Sequence, residues 1–565
     1  MELLRTIADH RELAGAVLVA ICAGLGALVL GRSTARAPRF LGRVPRRPAP
    51  WIVAAGIFVI AAATTYVRPR LPAVHDEFSY LLAADTFAHG RLANPTPACA
   101  EHFETFHVIV EPSYASKYPP GQGLLLALGQ VVFGHPIVGV WISAALMAAA
   151  LWYALAARLS RRWSLVFAAL GSLHWCATSY WSQSYWGGAL AATGGALLLG
   201  GALRLARVPT AAGGAALGLG TALLALSRPF EGVVACVAAY GYVLVVWWRT
   251  RPTAPIARAA LPWAAIVLAL LAWTAVYDTA VTGDPLTMPY SAHEARYTAI
   301  PNFHFLELEG ELTYRHAVME NFWNGWPRAK YEARHAADPF SIAWSKLLLY
   351  GPFYVGWTWL PFFLVGLASR RARGAVAVVA LGAVAIWAET FDNRHYAAPY
   401  AAAVLVVSAV GAVRLLAARR AVVRGAARGA LVGVALWTAA SAAADPFGWQ
   451  ARWPERRAQL TGWLEAQPGR DVVFVAYDYS HTPAEAMSDW ANIEWVYNGA
   501  DIASQDVVVA RDLGDASNRE VLRRYGPRRG WRIVLPAALS SERITDALEP
   551  YDGGTDDAGS APDGG

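Results

Sequence analysis

Residues 261–276 read LPWAAIVLALLAWTAV, an apolar run without a single Asp, Glu, Lys or Arg. A helix needs roughly 20 mostly apolar residues to cross the hydrocarbon core of a bilayer, and this run comes close. Leu13 to Leu30 and Trp186 to Leu203 are similar, and shorter runs broken by Gly or Pro recur to about Ala444. With 565 residues, 56% of them hydrophobic, the chain has more apolar surface than one soluble core would house. Charged residues are 16% of the chain and fall between the runs, as expected where an unpaired charge in lipid costs several kcal/mol. The pattern predicts an α-helical polytopic membrane protein of about twelve transmembrane helices.

The loops between runs alternate in charge. Arg32, Arg36, Arg39, Arg43, Arg46 and Arg47 make the first the most basic. Arg158, Arg161 and Arg162 mark the next basic loop, then Arg204 and Arg207, then Arg249, Arg251 and Arg258, then Arg370, Arg371 and Arg373. Arg414, Arg419, Arg420, Arg424 and Arg428 mark the last. If spans simply alternate, all these loops share one side, the positive-inside pattern. Arg68 to about Pro136, Asp278 to about Ser345, Phe391 to His395 and everything after Ala444 then face outward. The formal net charge of +7 therefore reflects topology. A nucleic-acid partner would call for Lys and Arg clustered with aromatic residues on one soluble face.

This reading divides the chain into four parts. An extra N-terminal span, uncleaved, and a basic loop occupy 1–50, and a transmembrane domain with outward loops 68–136 and 278–345 occupies 51–445. A small extracytoplasmic α/β appendage follows at 446–551, with strands expected at Asp471 to Tyr477 and Asp506 to Ala510. The tail 552–565 is too polar and Gly-rich to fold. Cys22, Cys176 and Cys236 lie in apolar runs as small hydrophobes, and no disulfide or metal spacing is present. No fixed-period repeat or inverted duplication marks a carrier.

The chemistry concentrates in the first outward loop. It opens with His75-Asp76-Glu77-Phe78-Ser79-Tyr80 and continues as an amphipathic helix that Gly90 stops, suited to lying on the membrane surface. Two carboxylates at a helix start can merely cap it and complement its dipole. The loop returns through Ser116-Lys117-Tyr118-Pro119-Pro120-Gly121, where the prolines fix how the next helix begins. That places Lys117 beside the membrane surface, able to hold a phosphate as a point charge or simply to anchor on anionic lipid.

An acidic pair after an outward-going span, the helix ending at Gly90, and Lys117-Tyr118-Pro119-Pro120-Gly121 together resemble the membrane-embedded C-type glycosyltransferases. The likeness is greatest to the aminoarabinose-transferase and protein O-mannosyltransferase branch and to lipopolysaccharide-core sugar transferases. It runs from about Trp51 to Leu415 and includes Leu226-Ser-Arg-Pro-Phe-Glu-Gly232 and Arg394-His-Tyr-Ala-Ala-Pro399, which is similar to the group's Arg-Tyr-x-x-Pro segment. This sequence departs from the family in having Tyr118 inside Lys-Pro-Pro, in its additional first span and in its C-terminal appendage.

The resemblance implies inverting transfer of a sugar from a polyprenyl-phosphate carrier to an extracytoplasmic glycan, lipid or protein acceptor, at a bacterial inner membrane. Such a reaction needs a carboxylate to take the acceptor proton and cations to stabilise the departing phosphate. Asp76 is the expected base, with Glu77 as second choice or as its orienter. Lys117, Arg228 and Arg394 are candidates for the phosphate, and Tyr80 and His395 for positioning. Arg228 could instead snorkel at its span end.

No metal site is assigned. Some C-type enzymes use a divalent cation while the closest branch is regarded as metal-independent, and Glu101-His-Phe-Glu-Thr-Phe-His107 has N and O ligand types without diagnostic spacing. Phe303, Phe305, Tyr314, Phe322, Trp323 and Trp326 in the second outward loop could stack on sugar or prenyl groups, or form an interfacial belt. The alternative function is a transporter or flippase of lipid-linked envelope intermediates. A third is a scaffold binding partners through the appendage, where Asn498, Asp501, Arg511 and Asp512 are site or turn residues.

Overall fold

The computed structural model describes residues 11–30, 48–67, 71–177, 179–308, 310, 312–443, 452–480 and 493–552. The most basic loop, with Arg32 to Arg47, and the tail beyond Asp552 lie outside the described residues. Helices α1 (Arg11–Leu25) and α2 (Ala49–Val67) precede the first polar segment. That segment holds α3 (His75–Ala88) and strands β1 (Asn94–Pro95), β2 (Val108–Ile109) and β3 (Ser113–Ser116), antiparallel in the order β1-β3-β2. The bundle continues through α4 (Gly121–Phe133), α5 (Ile137–Ala156), α6 (Arg161–Ala177), α7 (Ala189–Leu205), α8 (Ala211–Ala225), α9 (Pro229–Thr250) and α10 (Ala257–Thr282). The second polar segment carries α11 (Pro289–Tyr297), α12 (Ala317–Asn324) and α13 (Trp326–His335). Then α14 (Pro339–Tyr354), α15 (Gly356–Leu367), α16 (Arg373–Ala388), α17 (Ala401–Leu416) and α18 (Ala421–Ala443) complete the bundle.

Among the described residues, seven helices are long and apolar enough to cross a membrane, or up to eight if the bent pair α14 and α15 forms one span. That pair bends by 98° at a break where Gly356 adopts a φ of +58°, open to Gly and strained for other residues. Shorter apolar helices, α4, α7 and α8 among them, pack between the long ones. The protein is thus an integral membrane protein. The run at 261–276 explains why: α10 buries only 6% of its span inside the protein, and Leu261, Leu268, Leu271 and Val276 are exposed, so lipid is the solvent that accepts them. The opposite case is α17 with its preceding turn, 78% buried at the centre of a core that includes Met147, Phe167, Trp175, Trp181 and Phe362.

After α19 (Arg452–Glu465) the chain forms β4 (Asp471–Tyr477), β5 (Val507–Arg511), α20 (Asp515–Arg524), β6 (Arg529–Leu535) and β7 (Glu549–Tyr551). The sheet order is β5-β4-β6-β7, with β4 parallel to β5 and β6, and β7 antiparallel to β6. Val472, Val473, Phe474 and Val475 on β4 are all buried, the continuous apolar run of a strand covered on both faces. This sheet does not stand apart from the first polar segment. Leu82, Phe103, Val108, Val110 and Tyr114 pack into one core with Trp453, Phe474 and Trp495. Helix α3 consequently lies between α4 and the C-terminal sheet, with Leu82, Ala83 and Ala84 buried, rather than lying free on a membrane surface.

The sheet is pinned by polar contacts as well. Arg511 forms an ion pair with Glu494 at 2.5 Å, both almost fully buried, and donates from Nε to the Glu104 carbonyl at 2.7 Å. Asn498 exchanges two hydrogen bonds with the Val509 backbone, and Asp512 accepts from Gly514, Asn518 and Arg532, so these residues build turns.

Candidate active site

Glu77 and Asp76 begin α3 side by side and do different things. Glu77 turns back on the chain: Oε2 accepts the N–H groups of Ala73 at 2.7 Å and Val74 at 3.3 Å, and Oε1 accepts that of Tyr185 at 2.8 Å. It satisfies donors that a helix start leaves without intrahelical partners and ties α3 to the segment before α7. Burial pushes its carboxyl up to about 7, against the pull of those three backbone donors and helped slightly by the charge of Asp76. Asp76 is half-buried, and its Oδ1 accepts the Tyr118 hydroxyl at 2.5 Å. The Tyr118 ring stacks on Tyr80 with centroids 4.6 Å apart, so the residue interposed between Lys117 and the two prolines aims the carboxylate.

Lys117 points elsewhere. It is buried, donates from Nζ to Glu294 Oε1 on α11 at 3.0 Å, and lies 4.8 Å from the Tyr290 ring centre and 5.5 Å from that of Trp323. An ammonium enclosed this way is committed to its carboxylate and its aromatic walls. Its effect is to clamp the second polar segment onto the first.

Arg228 caps α9, which starts with Pro229 in its first turn. The turn is fixed from α4, where the Gly121 N–H donates to the Leu226 carbonyl at 2.7 Å. The Arg228 guanidinium lies 3.8 Å from the Tyr396 ring centre, its Nε is 3.5 Å from Glu231 Oε1, and its Nη2 is buried without a hydrogen-bond partner. His395 belongs to the turn Arg394–Tyr400 that leads into α17. The Tyr180 hydroxyl accepts from the His395 backbone N–H at 3.1 Å and lies within hydrogen-bonding distance, 2.9 Å, of His395 Nδ1. This turn reaches α7 closely because residue 195 is Gly; a Cβ there would collide with the Pro399 carbonyl.

Tyr80, Arg228 and His395 line one narrow cavity of about 20 Å³, together with Gln122, Trp186 and Gly188 among others. Asp76 is linked to that wall through Tyr118 and Tyr80. Arg394 is exposed and is not among the residues lining the cavity; its guanidinium lies 5.8 Å from the Phe353 ring centre. Three expected residues therefore share a cavity, Asp76 adjoins it, Arg394 precedes the lining residue His395 in the chain, and Glu77 and Lys117 brace the surrounding chain. Trp186 and Glu389 carry no site signal in the sequence, and Tyr396 enters there only as part of the Arg394-to-Pro399 segment. Glu389 is buried with neither carboxyl oxygen hydrogen-bonded, and burial together with the charge of Glu231 holds it well above the usual carboxylate range. Gln122, a polar residue in the first turn of an apolar helix, carried a signal; it donates to the Tyr185 carbonyl at 2.9 Å.

The segment Glu101 to His107 does not gather around a point. His102 lies 2.7 Å from the Arg511 carbonyl and 2.8 Å from Ser517 Oγ, using both ring nitrogens, while His107 is enclosed by Tyr118, His293, Phe322 and Trp323. Glu104 accepts Arg296 at 3.1 Å and has His316 Nε2 at 3.1 Å; burial works to raise its carboxyl, but its neighbours His316, Arg315 and Arg296 outweigh burial and hold it below the usual value. Phe322 and Trp323 are core residues packed with Phe106 and Tyr297, whereas Phe305 and Trp326 are exposed.

The chain is similar in structure to ArnT from Cupriavidus metallidurans bound to undecaprenyl phosphate, at 13% identity over 87% of this chain and 94% of that one, with a TM-score of 0.46. It is also similar to the archaeal oligosaccharyltransferase AglB from Archaeoglobus fulgidus in complex with an inhibitory peptide and a dolichol-phosphate, at 12% identity over 86% and 69% of the two chains, with a TM-score of 0.39. No family model and no curated protein matches the sequence.

Proposed function

We propose that this protein is an inverting glycosyltransferase that moves a sugar from a polyprenyl-phosphate carrier to a glycan, lipid or protein acceptor, with Asp76 as general base. The observation carrying this reading is the buried, unpartnered Arg228 Nη2 on the wall of a cavity that Tyr80 and His395 share and Asp76 adjoins. A desolvated guanidinium nitrogen with nothing to bond is costly unless an anion completes it.

On this reading the Asp76 carboxylate takes the acceptor proton as the acceptor atom attacks the anomeric carbon from the face opposite the phosphate. The sugar–phosphate C–O bond breaks, and Arg228 stabilises the charge arriving on the departing polyprenyl phosphate. Tyr118 holds Asp76 in place, and His395 and Tyr80 position the sugar. Arg394, which is exposed, draws the phosphate in. Glu77 supports this arrangement as the clamp of the helix start. About twelve spans, the shorter apolar helices included, set the polar segments outside a bacterial inner membrane and the arginine loops inside.

The test is to incubate the purified full-length protein with a panel of polyprenyl-phosphate sugars and acceptors and follow donor loss. Wild type consumes one donor with inversion at the anomeric carbon, and Asp76→Asn does not. Equal consumption by both removes Asp76 as base; no consumption with any donor and acceptor removes the transferase reading.

A further inference from the structure

The opposite end of α7 borders a second charged cavity. Gly188, just before α7, lines the cavity of Arg228, and Arg207, just after α7, lines a cleft of about 400 Å³. A helix of 17 residues separates the two by about 25 Å, roughly the thickness of a hydrocarbon core. The cleft is lined by Arg158, Arg207, Arg370 and Arg371, which come from three different loops. None of the segments 157–160, 206–210 and 368–372 contains an Asp or Glu.

Basic loops on one membrane face are ordinary, and in this protein many of their arginines have local partners. Arg204 is one: it donates to the Gly200 and Tyr153 carbonyls, both at 2.8 Å, and stacks on the Tyr153 ring. The cleft arginines are arranged differently. Arg158 is half-buried and held rigidly, with Nε donating to the Arg371 carbonyl and Nη2 to the Tyr242 hydroxyl, both at 3.0 Å. Burial, and secondarily the charge of Arg207, hold its guanidinium below the usual value. The side chains of Arg207, Arg370 and Arg371 make no hydrogen bond or ion pair among the described residues. Four guanidinium groups sharing one cleft repel one another, and an acceptor-rich anion relieves that repulsion while filling their donors.

We infer that this cleft is a binding site for a phosphate-bearing group on the membrane face opposite the candidate active site. A planar guanidinium cluster matches phosphate oxygens, and a position at the membrane boundary between helix ends is where an anionic lipid headgroup presents them. A soluble phosphate offers the same chemistry.

The experiment uses the full-length protein and native mass spectrometry with two probes, phosphatidylglycerol in zwitterionic nanodiscs and inorganic pyrophosphate in solution. Wild type is compared with Arg207→Gln/Arg370→Gln/Arg371→Gln and with a control triple on the same face outside the cleft, Arg249→Gln/Arg251→Gln/Arg258→Gln. Wild type and control retain one probe molecule, and the cleft triple binds at least tenfold more weakly. Retention of phosphatidylglycerol alone identifies a lipid headgroup, and its displacement by pyrophosphate identifies a site open to soluble phosphate. Single Arg207→Gln, on an exposed side chain, gives the same direction with a smaller loss should the triple fail to fold. Equal weakening by both triples means diffuse surface attraction and overturns the inference, as does retention of neither probe by wild type.

Discussion

The Tyr118 hydroxyl donates to Asp76 Oδ1 at 2.5 Å while its ring stacks on Tyr80, so one inserted residue connects the candidate base to the cavity wall. A hydrogen bond to a charged group contributes about 1.5–3 kcal/mol. Tyr118→Phe keeps the stack and removes the bond. We expect kcat to fall about 10- to 100-fold with donor KM nearly unchanged, measured by steady-state donor consumption. A rise in donor KM with kcat unchanged would place Tyr118 in donor binding instead.

Arg228 combines a face-on contact with Tyr396 and an unpaired Nη2, a pairing that only a planar guanidinium supplies. Arg228→Gln should lower kcat/KM about 100-fold or more, in line with about 3 kcal/mol for one lost transition-state donor. Arg228→Lys should recover little of it. Full recovery by Lys would reduce the role to a point charge.

Lys117 and Glu294 form a buried pair, and removing one partner of such a pair costs about 3–5 kcal/mol. Lys117→Met should therefore destabilise the protein strongly in denaturant titration, and Lys117→Met/Glu294→Gln should regain most of the loss. Donor KM in the double variant should stay within about threefold of wild type. A lysine that holds the donor phosphate would raise it about tenfold or more.

Glu77 has its carboxyl raised to about 7 in the folded protein from an ordinary value of 4.5. A raised folded value means that the stabilisation is complete below about pH 4.5 and is lost as pH climbs toward about 7. The shift corresponds to about 3 kcal/mol. Wild type should thus lose unfolding temperature between about pH 5 and 7, and Glu77→Gln should flatten that slope. An unchanged slope in the variant assigns the dependence to another group.

The buried Arg511–Glu494 pair fastens the C-terminal sheet, and Arg511 also donates to the Glu104 backbone in the first polar segment. Arg511→Met should cost about 3–5 kcal/mol and increase hydrogen exchange in β5 and in residues 101–108 together. Exchange that rises in β5 alone would mean that the sheet and the polar segment unfold separately.

The sequence by itself determined the membrane character and the carrier segments of the chemistry. Hydropathy and charge are properties of each residue and its near neighbours, and a bilayer acts on them one helix at a time, so runs such as 261–276 are legible without knowing what they touch. Asp76, Arg228 and His395 stood out because they are polar groups at span ends. Their partners did not. Lys117 finds Glu294 across 177 positions, and the Tyr497 hydroxyl lies 3.0 Å from His75 Nδ1 across 422. Such pairings depend on which helix ends the bundle brings side by side, a choice made by packing and burial that leaves no local trace. Tertiary structure alone therefore divided the adjacent carboxylates of Asp76 and Glu77 into an aimed group and a clamp, and turned Lys117 into a brace. It also set the C-terminal sheet against α3 and gathered four scattered arginines into one cleft.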